Sequence, residues 1–349
     1  MTRSALPLFT AALVGLAAPA LAEVPRVITD IPPVHALVSA VMEGVGTPEL
    51  LLDRGASPHH ATLRPSQAAA LEQADALFWV GPVLTPWLDR AVDSLPKADT
   101  AIRLDQVKGL HTQAFGAAGA HDHDHAAEGE HDHAAEGAHD HAAEGGHDHA
   151  AEGGHDHAAE GGHDHAEGED GHVHTGTDPH LWLDPANATL WLGAIRDRLS
   201  VLDPEHAAQY AANAQKAEAD LAALDAQIAE TLAPVRGKPF AVFHDAYGYF
   251  TAHYGLEPAH PVALGDAALP GAERLSALRA EMTAGGLVCA FPEAQHDPKM
   301  VQQLIEGTPV KLGGALDPSG SSLEPGAALY AALLGGLAQT LADCLADKG

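Results

Sequence analysis

The chain has 349 residues, enough for two ordinary domains or one large one. Its 48 acidic and 18 basic residues leave a formal charge of −30, which makes nucleic acid and anionic membranes poor partners and a cation the natural one. Aromatic residues are sparse at 5% and alanine is abundant, which favours helix-rich packing through small side chains.

The N-terminus reads as a targeting segment. Arg3 is the only charge before Glu23, an apolar stretch runs from Leu6 to Ala18, and Ala20-Leu21-Ala22 fits a small-residue cleavage signal. Residues 1–22 are expected to be a signal peptide removed on export. The apolar stretch is too short to persist as a membrane span. No cysteine stands beside the cleavage point to take a lipid anchor, so the mature chain is expected to be soluble.

Next, RVITDI (26–31) reads as a buried strand and PVHALVSAVMEG (33–44) as a helix with a glycine stop. ELLLDRGASPHH (49–60) reads as a strand ending in a loop, and RPSQAAALEQAD (64–75) as a helix with proline near its start. ALFWVG (76–81) is a short buried strand and TPWLDRAVDSL (85–95) another helix. The alternation of strand and helix predicts an α/β unit with a mostly parallel sheet.

A repeat then interrupts the pattern. His-Asp-His recurs six times at a spacing of eight, separated by alanine, glutamate and glycine. That period fits neither a helix nor a strand, and the segment has no large apolar side chain with which to offset its ordering entropy. Residues 116–176 are expected to form a disordered His/Asp-rich loop. Residues 121–170 hold 16 acids and no base. His121, His123, His125, His131, His133, His139, His141, His147, His149, His155, His157, His163 and His165 supply weak auxiliary metal sites, because each ion bound there must first order the chain. The plainer alternative is an inert spacer.

Beyond the repeat, Asp203-Pro204 is a strong helix start. Helical spacing continues to Val235, with Leu221, Leu224, Ile228 and Leu232 on one side. A helix over 203–235 would be a rod of roughly 45 Å, long enough to bridge two lobes. PFAVF (239–243), LVCAFPE (287–293) and PVKLGGAL (309–316) read as strands. GAERLSALRAEMTAGG (271–286), DPKMVQQLIEG (297–307) and the stretch 325–346 read as helices. The fold class is α/β, with two lobes, each a mostly parallel sheet flanked by helices, joined by one long rigid helix. The expected bounds are 23–185 for the N-terminal lobe, 186–236 for the linking helices and 237–349 for the C-terminal lobe.

Cys289 and Cys344 are the only cysteines. In an exported chain an isolated pair reads as a disulfide, worth about 4 kcal/mol by chain entropy; two buried free thiols are the alternative.

Three histidines outside the repeat stand where a strand gives way to a loop or a stiff turn: His59 in GASPHHATLRPS, His180 in TDPHLWLDP and His244 in PFAVFHDAYGYF. Ligands of open α/β sheets bind beyond the carboxyl ends of the strands, and three neutral imidazoles suit Zn²⁺. Any one of these histidines alone could equally be structural. His35, His111, His206, His253, His260 and His296 are expected to be structural. No H-E-x-x-H helix, nucleophile elbow or phosphate-cradling loop is present.

GAS-x-H-x-x-x-LRPS, DPHLWLDP and FHDAYGYF together resemble the zinc-binding periplasmic proteins of ABC importers, the ZnuA family of cluster A-I solute receptors. The resemblance runs from about Val24 to the C-terminus and includes the His/Asp-rich insertion. It implies a periplasmic monomer that takes up Zn²⁺ in a cleft between two lobes and delivers it to a membrane permease. It also implies that His59, His180 and His244 hold the ion and that Cys289 and Cys344 pair. Some members carry glutamate where Pro58 stands here, which leaves the fourth ligand to water, to Asp317 in GALDPSG, or to His60. Asp317 could equally be a turn former. An imidazole at position 244, rather than a carboxylate, favours zinc over manganese. Three other readings remain: a zinc storage or chaperone protein acting mainly through the loop, a manganese-specific receptor of the same superfamily, and a zinc hydrolase with Asp317 or Asp245 as base. The receptor, which is not an enzyme, is the leading one.

Overall fold

The computed structural model describes residues 24–95, 99–115, 176–263 and 270–346. The expected signal peptide and the thirteen auxiliary loop histidines lie outside these residues.

Two parallel four-stranded sheets carry the fold. The first contains β1 (Val27–Thr29), β2 (Glu49–Leu50), β3 (Ala76–Trp79) and β4 (Ala101–Arg103), in the order β2-β1-β3-β4. The second contains β5 (Phe240–His244), β6 (His260–Ala263), β7 (Cys289–Phe291) and β8 (Lys311–Leu312), in the order β6-β5-β7-β8. The two orders are the same path traced twice. In each sheet the chain leaves the first strand for one neighbour and then crosses to the other side, which creates a switch point between the two central strands.

Proline sets the first four helix starts. It occupies the first turn of α1 (Pro32–Val41), α2 (Pro65–Glu72), α3 (Pro86–Asp93) and α4 (Pro185–Leu202), where its missing N–H costs nothing. α2 also has the Gln67 side chain accepting from the Arg64 N–H at 2.8 Å. The long helix α5 (Ala207–Leu232) is flanked by 3₁₀ turns at Pro204–His206 and Ala233–Val235, so the helical path covers nearly all of 203–235. In the second lobe α6 (Gly248–Tyr254) stops at Gly255, whose φ of 63° favours glycine. α7 (Ala272–Thr283), α8 (Lys299–Ile305) and α9 (Leu329–Leu345) complete the set.

One hydrophobic core joins the lobes. It contains Val34, Val38 and Val41 of α1, Trp191, Ile195 and Leu199 of α4, Leu221 and Ile228 of α5, and Leu333, Leu337 and Leu341 of α9. Phe78 of the first sheet and Phe240 and Phe291 of the second belong to the same cluster. Full burial of each such side chain contributes about 1.5–3 kcal/mol. The outer faces of the sheets have smaller cores of their own, around Leu77 and Leu88 in one lobe and Leu278 and Met282 in the other. Cys289 and Cys344 form a disulfide with Cα atoms 6.3 Å apart, tying β7 to the end of α9.

Three elements were not anticipated. β4 is a short edge strand, α6 is only seven residues long, and β6 contains Pro261. Proline argues against a central strand, and β6 is in fact an edge strand.

Candidate metal centre

His244 is the last residue of β5, at the switch point of the second sheet. It is nearly fully buried, and its Nδ1 lies 2.5 Å from Glu293 Oε2. Glu293 follows β7, the strand beside β5, and is 2% exposed. Tyr247 Oη faces the same carboxylate oxygen at 3.5 Å; burial, then the charges of Glu293 and Asp317, hold the phenol well above its ordinary pKa, so it stays a donor.

His180 sits where the chain returns from the insertion. Gln113 and Asp178 join the two ends by an N–H···O bond of 2.9 Å, and Phe115 donates to the Gly176 carbonyl at 3.1 Å. Asp178 Oδ1 accepts from the His180 N–H at 3.0 Å and meets His180 Nδ1 at 2.7 Å. Its Oδ2 accepts from Gln113 at 3.2 Å, and its carbonyl accepts from Tyr249 Oη at 2.9 Å. The Trp182 indole donates to the Pro318 carbonyl at 2.7 Å and docks this segment on the second lobe.

His59 is supplied by the loop between β2 and α2 and is half-buried. Trp87 of α3 holds that loop by donating to the Pro58 carbonyl at 2.6 Å.

The structure brings these three side chains together. Ring centroids of His59 and His180 are 5.5 Å apart, those of His180 and His244 5.5 Å, and those of His59 and His244 6.3 Å. One nitrogen from each ring lies within 4.8 Å of the others, and among the described residues this is the one group of His, Cys, Asp and Glu so disposed. A tetrahedral ion with bonds of about 2.0–2.1 Å holds its donors roughly 3.3 Å apart, so a contraction of about 1.5 Å or less completes the geometry. In His180 and His244 a buried carboxylate engages Nδ1, which fixes the tautomer and makes Nε2 the nitrogen able to bind an ion.

His60 and Asp317 are not in the group. Asp317 Oδ1 accepts from the backbone and hydroxyl of Ser321 at 2.9 and 3.2 Å, and Oδ2 from those of Ser322 at 2.8 and 2.6 Å. The orienting roles of Asp178 and Glu293 were not read from the sequence. Glu293 was nonetheless detectable by the strand-end rule that picked out His244, since it follows the neighbouring strand.

The profile of a protein family described as ZnuA, the periplasmic component A of a zinc-uptake complex, matches residues 27–344. The chain belongs to the ZnuA family. Among ZnuA relatives, the high-affinity zinc uptake system protein ZnuA of Paracoccus denitrificans is 53% identical over 345 residues, covering 99% of each chain. That of Brucella abortus is 40% identical over 320 residues, covering 91% of each. A solved ZnuA crystal structure superposes with a TM-score of 0.67 at 21% identity, covering 93% of this chain and all of its own. The periplasmic zinc-binding protein TroA of Treponema pallidum also gives 0.67, at 18% identity, with 93% and 100% covered. These two structural likenesses establish a shared two-lobe fold.

Proposed function

We propose that this chain captures Zn²⁺ in the periplasm and hands it to the membrane permease of an ABC importer. The observation that carries the reading is the convergence of His59, His180 and His244, three residues remote in sequence, with donor nitrogens within 4.8 Å of one another. Three imidazoles with no carboxylate among them are a borderline-soft donor set that suits zinc better than manganese. Buried carboxylates behind two of the rings hold them in orientation. The fourth position is left to water. Relatives named as zinc-uptake proteins at 53% and 40% identity support the same cargo.

The organisation that goes with this reading is a leader at 1–22 cleaved on export, a lobe at 23–185 carrying the insertion at 116–176, linking helices at 186–236 and a lobe at 237–349. The mature chain acts as a monomer. The insertion gathers or buffers ions through its auxiliary histidines, while the cleft holds one ion tightly. Binding is favoured over hydrolysis because Asp317, one candidate general base, already has its oxygens engaged by Ser321 and Ser322.

The test is calorimetric zinc titration of a chain lacking 116–175, alone and with His59→Ala, His180→Ala or His244→Ala. The deletion should keep one tight site and lose the weak ones, and each alanine should then abolish the tight site. Loss of nearly all tight binding on deletion alone would instead indicate a storage protein.

A further inference from the structure

His59 belongs to a loop of the first lobe, yet the residues just before it are fastened to the second. Arg54 Nη2 donates to the Ser322 carbonyl at 2.7 Å, and its other terminal nitrogen pairs with Glu324. The Gly55 N–H donates to the Ser321 carbonyl at 3.1 Å. Gln295 Nε2 donates to the Ala56 carbonyl at 3.2 Å and to Ser319 Oγ at 2.7 Å. The surface that receives residues 54–56 is the turn 317–322 with Gln295 bonded to its Ser319, and Asp317 builds the turn. A carboxylate offers about four acceptor positions, and both hydroxyls and both N–H groups of Ser321 and Ser322 fill them. Gly320 seats the turn against α9, with φ of 66° at a point where a Cβ would come within 3.0 Å of Leu329.

We propose that Asp317 is a positioning residue for His59, acting through this latch across the cleft, and that seating of Arg54 and Gly55 on the 317–322 turn, with Ala56 on Gln295 beside it, governs how fast the ion leaves. The inference rests on the three-imidazole reading above. Ala56 is three residues from His59, and an ion site tolerates only about 0.5 Å of error in its ligands. Trp87 fixes the loop at Pro58 from the first lobe, and the latch fixes it from the second, so His59 is held fully in coordinating position when both are closed. Asp317 could join the ion only by giving up a hydrogen bond that holds the turn together.

The experiment measures zinc release from the full chain into excess chelator, reading the slow phase, for Arg54→Ala, Asp317→Ala and the double variant. Absorption spectra of the Co²⁺-loaded proteins are recorded alongside. Arg54 is more than half exposed, so its truncation leaves the core intact. Each single variant should release about tenfold faster, the scale of a lost outer contact. The double variant should be no faster than Asp317→Ala, because both changes break one latch. The cobalt bands should keep their positions, because the donor set is unchanged. Parental release from Arg54→Ala, or cobalt bands displaced in Asp317→Ala, would overturn the proposal, the second by making Asp317 a ligand. If His59→Ala leaves the slow phase as it was, the three-imidazole reading itself falls, and the latch with it.

Discussion

At the scale of single residues, the work is divided between side chains that would touch the ion and carboxylates that aim them. Asp178 and Glu293 are buried, and each holds one imidazole by Nδ1. Asp178→Asn and Glu293→Gln keep the volume but weaken the pull on the ring. Each should lower zinc affinity by roughly 10–100-fold in a competition titration while leaving the melting temperature nearly unchanged. Asp30 shows a different use of a buried acid. It is the residue after β1, at the switch point of the first sheet, and its oxygens accept from the Ile31 and Val80 N–H groups at 2.8 Å each. Burial pushes its pKa up to about 7 against those hydrogen bonds. For an acid raised in the folded state the stability contribution is complete below the unfolded value near 3.8 and declines as pH rises towards 7. Histidine identity alone did not reveal which rings converge. His59, His180 and His244 stood out by position at strand ends and stiff turns, whereas His111 and His253 were expected to be structural, and both prove to serve a helix cap.

That cap belongs to the scale of elements. Asp184 starts α4 by accepting from the Ala186 N–H at 2.8 Å, and it also meets His111 Nδ1 at 2.9 Å and His253 Nδ1 at 3.0 Å. His253 lies on α6, and its other nitrogen reaches Asp225 of α5 at 2.9 Å. The hydrogen bond to Asp184 raises the pKa of His253, with burial opposing. For Asp184, burial pushes upward, but the bonds from His253, His111 and Ala186 outweigh it and leave the acid below its ordinary value. The histidine's contribution is full below pH 6.5 and fades as pH rises through its raised pKa. The aspartate's is full above 3.8 and fades as pH falls through its lowered one. The clamp is strongest between those limits, so the melting-temperature deficit of His253→Gln should be larger near about pH 5.5 than near about pH 8.5. The disulfide is a second tie between elements. Replacing Cys289 and Cys344 by serine should cost about 4 kcal/mol in urea unfolding. Central strands and proline-started helices were legible because their signals are local. β4 and β6 were not, because β4 is only three residues long and Pro261 breaks the strand signal of β6, so both take their pairing from a neighbour distant in sequence.

For the whole molecule, the decisive feature is the core that α1, α4, α5 and α9 share with both sheets. A hinge between lobes would have to tear buried side chains such as Trp191, Tyr210 and Leu334 from their neighbours. Small-angle scattering of zinc-free and zinc-loaded protein lacking 116–175 should therefore give superimposable curves, where a receptor that closes on its cargo would contract. The two-lobe plan was legible because each lobe repeats the strand–helix rhythm and one long amphipathic segment separates them. The common core was not, since it arises only when helices far apart in sequence stack. On so fixed a frame the last contraction of about 1.5 Å or less falls to side chains and loops alone, which gives little leverage for sorting ions by size. Divalent ions of similar radius would fit alike, and Cu²⁺ would outcompete Zn²⁺ on nitrogen donors. Discrimination then depends on which ions are present in the compartment, and copper excess should poison uptake by occupying the same nest.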